Sequence, residues 1–366
     1  MRRLLIAVGF LMLALPLACT LEGERTTSVG NPDDGSPESV QPPARGDLIF
    51  VRVPPGSHPS GRGRLFAIGP SAGDRVRQLA ATPFANLGTF AVSPNGRRVA
   101  FTRRGELWVA RLDGSKAKRL SRTAGINGWA LWSPDGRRLI YHRMAGVGGS
   151  GDTAHLVNAD GTGYREIGLH GERLFTRAWW GPDGNRIYGM DGGKLGFPPS
   201  LHELDLTTGR TTLLVEERRG TDGFAVSALG DVLILRTVEQ PIRRQLWLRE
   251  DGGERLLAET RGSFWATAWS PDGSQIAAAV LFGDDDTSRL IILDPHESDD
   301  KMEITPATGA AGRHPLWSPD GMQLAFTRGR FPHDDVWIVD RDGAERRVTR
   351  SRAFEEPVAW LAQPAG

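Results

Sequence analysis

Apolar and polar residues alternate along most of the chain in short runs, the period-two pattern of strands with one buried face. Arg138-Leu139-Ile140-Tyr141 and Gln323-Leu324-Ala325-Phe326 are examples. Each is preceded by a turn of one type: Ser93-Pro94-Asn95-Gly96, Trp132-Ser133-Pro134-Asp135-Gly136, Trp180-Gly181-Pro182-Asp183-Gly184, Trp269-Ser270-Pro271-Asp272-Gly273 or Trp317-Ser318-Pro319-Asp320-Gly321. Proline presets φ, Asp or Asn suits the third place, and Gly accepts the left-handed conformation that closes the turn. The pattern predicts a hairpin at each copy. A third apolar run follows every hairpin, as in Glu106-Leu107-Trp108-Val109 and Val336-Trp337-Ile338-Val339, and then a more polar one, such as Glu345-Arg346-Arg347-Val348-Thr349. Charge on that last strand suits an outer edge.

The copies are regularly spaced. Counting a worn copy at Ser227-Ala228-Leu229-Gly230, the glycines at 96, 136, 184, 230, 273 and 321 stand 40, 48, 46, 43 and 48 residues apart. That is the period of a four-stranded propeller blade. Third-strand segments fall near residues 66, 108, 155, 203, 247, 291 and 337, which predicts an all-β, seven-bladed β-propeller of four-stranded antiparallel blades; six blades is the alternative. Asp47-Leu48-Ile49-Phe50-Val51 reads as a second strand lacking its first, and Glu356-Pro357-Val358-Ala359-Trp360-Leu361 as a first strand lacking its turn. The C-terminal strand is therefore expected to complete the N-terminal blade, removing free sheet edges between first and last units.

The repeat resembles the TolB-type propeller repeat over about residues 47–362, on the Trp-Ser-Pro-Asp-Gly turn, the later aromatic strand and the closing Arg-Leu or Arg-Val strand. TolB-like proteins set an α/β domain before six blades, whereas this chain places a polar segment before seven units. The resemblance implies a binding role in a bacterial cell envelope, such as holding a peptidoglycan-associated lipoprotein.

Residues 1–19 read as an export signal: Arg2 and Arg3, an apolar run from Leu4 to Ala18, then Cys19. The run is shorter than the roughly 20 residues a membrane-spanning helix needs. Cys19, the one cysteine, looks like the lipidated residue of a bacterial lipoprotein box, although Pro16 stands where that box usually has Leu. A disordered tether at 20–46, poor in apolar residues, would join this anchor to the propeller at 47–362. The expected address is extracytoplasmic, on a membrane through the lipid.

Composition narrows the partners. With 45 Lys and Arg against 44 Asp and Glu, the net charge of +1 disfavours nucleic acid. A closed ring needs no second copy for stability, so a monomer is expected, without cofactor or metal.

Function is expected on the face bearing the variable loops and the mouth of the central channel. Aligning the starts of the first strands places Thr89, Trp129, Arg177, Ala266, His314 and Pro357 at equivalent positions. Among them Trp129, Arg177 and His314 form the candidate ligand-binding set, able to stack on a sugar or bond an anion. The main reading is a binding module for a protein, peptide or glycan of the envelope. The alternative is a metal-assisted lyase or hydrolase of a carbohydrate or lactone, which requires at least two of His142, His170, His314 and His333 to converge. Acidic loops at Asp284-Asp285-Asp286 and at Asp334-Asp335 lack the spacing of a calcium site and read as solvated.

Overall fold

The computed structural model describes residues 46–361, apart from 55–61, 70, 72–73, 80–83, 86–89, 104, 122–125, 145–151, 170–174, 192–197, 217, 240, 251, 283–286, 298–300, 305–309 and 331–332. The expected signal, Cys19 and nearly all of the expected tether thus lie outside the described residues, as do Thr89, His58, His170 and Asp284 to Asp286.

The turns that read Ser-Pro-Asp-Gly or Ser-Pro-Asn-Gly are held by the same local bonds, and in blade 4, where Gly181 replaces the serine, Asp183 accepts from the Asn185 and Arg186 amides. In blade 3 the Ser133 hydroxyl donates to Asp135 at 2.5 Å, Asp135 accepts from the Arg137 amide at 2.9 Å, and the Arg138 amide donates back to Ser133 Oγ at 2.9 Å. Ser270 and Ser318 repeat the arrangement with Asp272 and Asp320. Gly136, Gly273 and Gly321 all have φ near +70°, the left-handed region that glycine enters without penalty. The worn copy closes differently. Ser227 bonds Asp231 instead, and the turn between its flanking strands is one residue shorter.

Seven antiparallel sheets follow, each with the path inner, second, third and outer strand. The inner strands are Phe354–Trp360 (blade 1), Ala91–Val92 (blade 2), Ile126–Trp132 (blade 3), Arg177–Trp180 (blade 4), Thr221–Val226 (blade 5), Ser263–Trp269 (blade 6) and Ala310–Trp317 (blade 7). Blade 1 is completed by the C-terminal strand, which pairs antiparallel with Leu48–Val53 from Trp360 opposite Leu48 to Phe354 opposite Val53. This is the expected closure. Blade 5, whose turn is most degraded, has the longest outer strand, Gly253–Thr260.

There is no single central core. Seven apolar clusters among the described residues each lie between two successive blades, for example Leu48, Phe50 and Ile68 of blade 1 against Ala325, Val336 and Ile338 of blade 7. The motif tryptophans tie blade to blade. The indole of Trp132 donates to the Ala91 carbonyl at 2.8 Å, Trp180 to Leu131 at 3.0 Å, Trp317 to Ala268 at 3.0 Å and Trp360 to Leu316 at 3.0 Å. In every case the acceptor is on the inner strand of the preceding blade. Trp269, facing the atypical blade 5, is the exception: its buried Nε1 has no partner.

Candidate functional site

Successive inner strands touch around most of the ring and line the axial channel. Five of the seven are bulged where they pass their second strand. Residues without a counterpart are Val358 in blade 1, Trp129 and Ala130 opposite Tyr141 in blade 3, Asp222 in blade 5, Trp265 in blade 6, and, in blade 7, Gly312 as well as His314 and Pro315 opposite Phe326. A bulge bends its strand and re-aims a side chain, and such features recur beside functional sites.

His314 is the most unusual of these residues. Its φ is +56°, one of two positive values among the described non-glycine residues, and it precedes a proline, which pushes a residue toward extended backbone. A left-handed non-glycine residue costs about 1–2 kcal/mol. The imidazole is 9% exposed, and neither ring nitrogen has a hydrogen-bond partner. The nearest charge is Glu356 on the inner strand of blade 1, with Oε1 at 3.8 Å from Nε2 and its side chain 7% exposed. Glu355 beside it is fully buried. It accepts from Arg52 Nε at 2.5 Å on one oxygen and has no partner on the other. An imidazole with two unpartnered nitrogens thus stands beside a buried carboxylate where blade 7 joins blade 1. Buried polar groups are ordinarily satisfied.

The remaining members of the expected set are elsewhere on the ring. Arg177 begins the inner strand of blade 4 and is half-buried; burial lowers its pKa, with the charge of Asp152 acting the other way. Trp129 lies at the bulge of blade 3, and its side chain is outside the described residues. Blades 3 and 4 adjoin, whereas His314 stands three blades on from Arg177. The residue His314 meets is Glu356, not a member of the expected set.

Histidines outside this set are engaged separately. His142 Nε2 accepts the Ala178 amide of blade 4 at 2.9 Å. His155 is fully buried between the rings of Tyr141 and Tyr164, bonded to Thr153 and to the Tyr164 hydroxyl, and burial lowers its pKa. His202 sits 3.3 Å from Asp191, and His333 bonds the Arg352 carbonyl at 2.7 Å on the surface. Among the described residues no group of three or more His, Cys, Asp or Glu could hold a metal ion, and His142, His314 and His333 do not converge. Asp334 and Asp335 correct one expectation. They are buried, not solvated, and Asp335 accepts from Arg347 at 2.5 Å and from the Ser351 amide at 3.2 Å.

Sequence alignment missed Glu356, Glu355 and Asp222. Asp222 accepts a 2.5 Å bond from Thr237, and burial raises its pKa against that bond and the charge of Arg244. Carboxylates inside an otherwise apolar inner strand were the available signal.

No family model matches the chain. The Tol-Pal system protein TolB of Anaeromyxobacter dehalogenans is 35% identical over 117 residues, 30% of this chain and 25% of that protein. An uncharacterized protein of Agrobacterium fabrum is 28% identical over 202 residues, 52% of this chain and 62% of that one. The chain thus spans less than two thirds of either relative. Among solved structures, a prolyl endopeptidase superposes with a TM-score of 0.62 at 14% identity, over 87% of this chain and 50% of that one, which shows the shared propeller fold. With its repeated turns and seven closed blades, the chain is a seven-bladed β-propeller, similar to a TolB protein over 117 of its residues.

Proposed function

We propose that this protein is an extracytoplasmic binding module, exported by residues 1–19, anchored through a lipid on Cys19 and held off the membrane by residues 20–46. The propeller at 47–362 receives a protein, peptide or glycan of the envelope at the channel wall and the loop face around it. One observation carries the reading: His314 is held left-handed and buried with both nitrogens unpartnered beside Glu356, a cost that a bound ligand offsets by bonding the ring. Strain of this kind persists where binding uses it. The sequence similarity to a Tol-Pal system protein supports an envelope address.

Crosslinking of the chain in its native envelope tests the proposal. The parent should capture a discrete partner, and His314→Gly should lose it while keeping its thermal midpoint. Glycine relieves the left-handed backbone, and its extra chain entropy costs about 0.5–1 kcal/mol, so the two effects nearly cancel. Equal capture by parent and variant would remove His314 from the site. For the anchor, Cys19→Ser should move the protein from the membrane pellet to the soluble fraction; retention in the pellet refutes lipidation.

A further inference from the structure

The turn of blade 2 differs from the other well-kept copies by one atom group. Asn95 stands where they carry Asp135, Asp183, Asp272 and Asp320. Asn95 keeps the geometry, since its Oδ1 accepts from Ser93 Oγ at 2.9 Å and from the Arg97 amide at 3.1 Å. What changes is charge. Elsewhere the aspartate offsets a neighbouring arginine: Asp183 pairs with Arg186 at 3.1 Å and Asp272 with Arg341 at 2.9 Å.

In blade 2 that offset is missing at a concave place. A cavity of about 430 Å³ opens between blades 2 and 3, lined by Asn95, Arg97, Arg98, Arg111, Lys116 and Lys118 together with small or apolar residues, and no lining residue is acidic. Arg98 donates to the Gly136 carbonyl at 3.2 Å, a neutral acceptor that leaves its charge in place, whereas Lys118 Nζ donates to the Asp160 carbonyl at 2.5 Å with the Asp160 carboxylate near enough to offset part of its charge. Among the described residues no ion pair joins Arg97 or Lys116 to a carboxylate, while Arg111 has the charge of Asp113 nearby in the same turn. Lys116 is also the second left-handed non-glycine residue, with φ of +53°. Five cations around one cavity repel each other in the empty site, and the overall net charge of +1 shows that this is a local concentration.

The cavity lies on the face of the repeated turns, away from the variable loops, and it adjoins the place where the preceding chain enters the ring. The Gly46 amide donates to the Leu361 carbonyl at 2.9 Å, and Leu361 packs on the blade 2 turn so closely that a Cβ on Gly96 would stand 2.8 Å from its methyl groups.

We propose that the cavity between blades 2 and 3 binds a phosphate-bearing group of small headgroup size. Guanidinium forks with lysines suit the several oxygens and multiple charge of a phosphate, whereas one carboxylate would leave most of the five cations unmatched. Such a group is presented by an anionic lipid headgroup or by a soluble phosphate compound. The site shares no residue with the channel wall and stands independently of the function proposed there.

The test titrates the full chain with inorganic pyrophosphate by calorimetry at low salt, alongside Asn95→Asp and Lys116→Ala. Asn95→Asp installs the residue used by four sister turns, so the fold is kept and only charge is added. An added negative charge a few ångströms from the ligand should weaken binding about three- to tenfold at low salt, and less at high salt. Lys116→Ala should weaken it comparably. In a second arm, sedimentation with phosphatidylglycerol vesicles is compared between parent and Asn95→Asp, so that the apolar N-terminal run contributes equally to both. Pyrophosphate-competed vesicle binding that falls in the variant identifies a headgroup, and pyrophosphate binding without that difference identifies a soluble ligand. Either supports the site. No saturable pyrophosphate binding, or binding that neither substitution changes, overturns it.

Discussion

Replacing the motif tryptophans by phenylalanine should separate the blade-to-blade hydrogen bond from the packing of the ring. Trp360 and Trp269 form the most useful pair. Both are half-buried at the end of an inner strand, but Trp360 donates to the Leu316 carbonyl at 3.0 Å whereas Trp269 Nε1 has no partner. Each substitution loses part of an aromatic ring from a seam between blades, a packing loss on the order of 1–2 kcal/mol. Trp360→Phe also removes a donor and strands a carbonyl, adding about 1 kcal/mol. Trp269→Phe removes only an unsatisfied donor. For a domain of this size 1 kcal/mol moves the thermal midpoint by about 1–2 °C. Thermal unfolding of the parent and the two variants should therefore place Trp360→Phe below Trp269→Phe by that margin. Trp317→Phe should fall with Trp360→Phe or lower, since Trp317 is the more buried and bonds Ala268. If Trp269→Phe proves as costly as Trp360→Phe, the indole bonds contribute nothing and the seams are held by apolar contact alone.

Two further outcomes follow from single side chains. A Cβ on Gly189 would stand 2.2 Å from the fully buried ring of Phe175, so Gly189→Ala should destabilise by about 1–3 kcal/mol and lower the thermal midpoint, while no change would show that the blade 3 to blade 4 seam can yield. Asp222 has its pKa raised by burial, so the folded state holds that proton to higher pH than the unfolded chain, and the ionised carboxylate destabilises the fold above the folded pKa but not below the ordinary carboxylate value of about 3.9. Asp222→Asn should then melt higher than the parent at pH 7 and coincide with it in acid, and a variant less stable at pH 7 would refute the sign.

The ring was legible because its signals are local and repeated. A tight turn between strands needs Pro, Asp or Asn and Gly in fixed order, and the chain writes that order often enough for the period to count the blades. Closure was legible from a strand missing at one end and surplus at the other. The worn turn of blade 5 was a weaker guide, since Asp231 replaces the lost aspartate two positions later and restores the bond to the serine. A motif reads only one solution to a geometric problem that has several.

The candidate site was legible in part, and the reason lies in where its contacts are made. Aligning inner strands picked out His314, because that register recurs on the strands nearest the channel. It could not supply Glu356, which reaches His314 only when the two ends of the chain close the ring and bring blade 1 against blade 7. It also took the strands as regular, whereas the bulges shift individual strands by one residue and decide which side chains the wall presents. Asn95 shows the converse. Its departure from the repeat stood in the sequence, but a lost carboxylate has consequences only where cations gather, and part of that gathering comes from the turn between the third and outer strands of the same blade. In a repeat protein the shared residues therefore build the scaffold, and the places where one copy departs from the others, His314 before a proline and Asn95 for aspartate, are where a ligand should be sought.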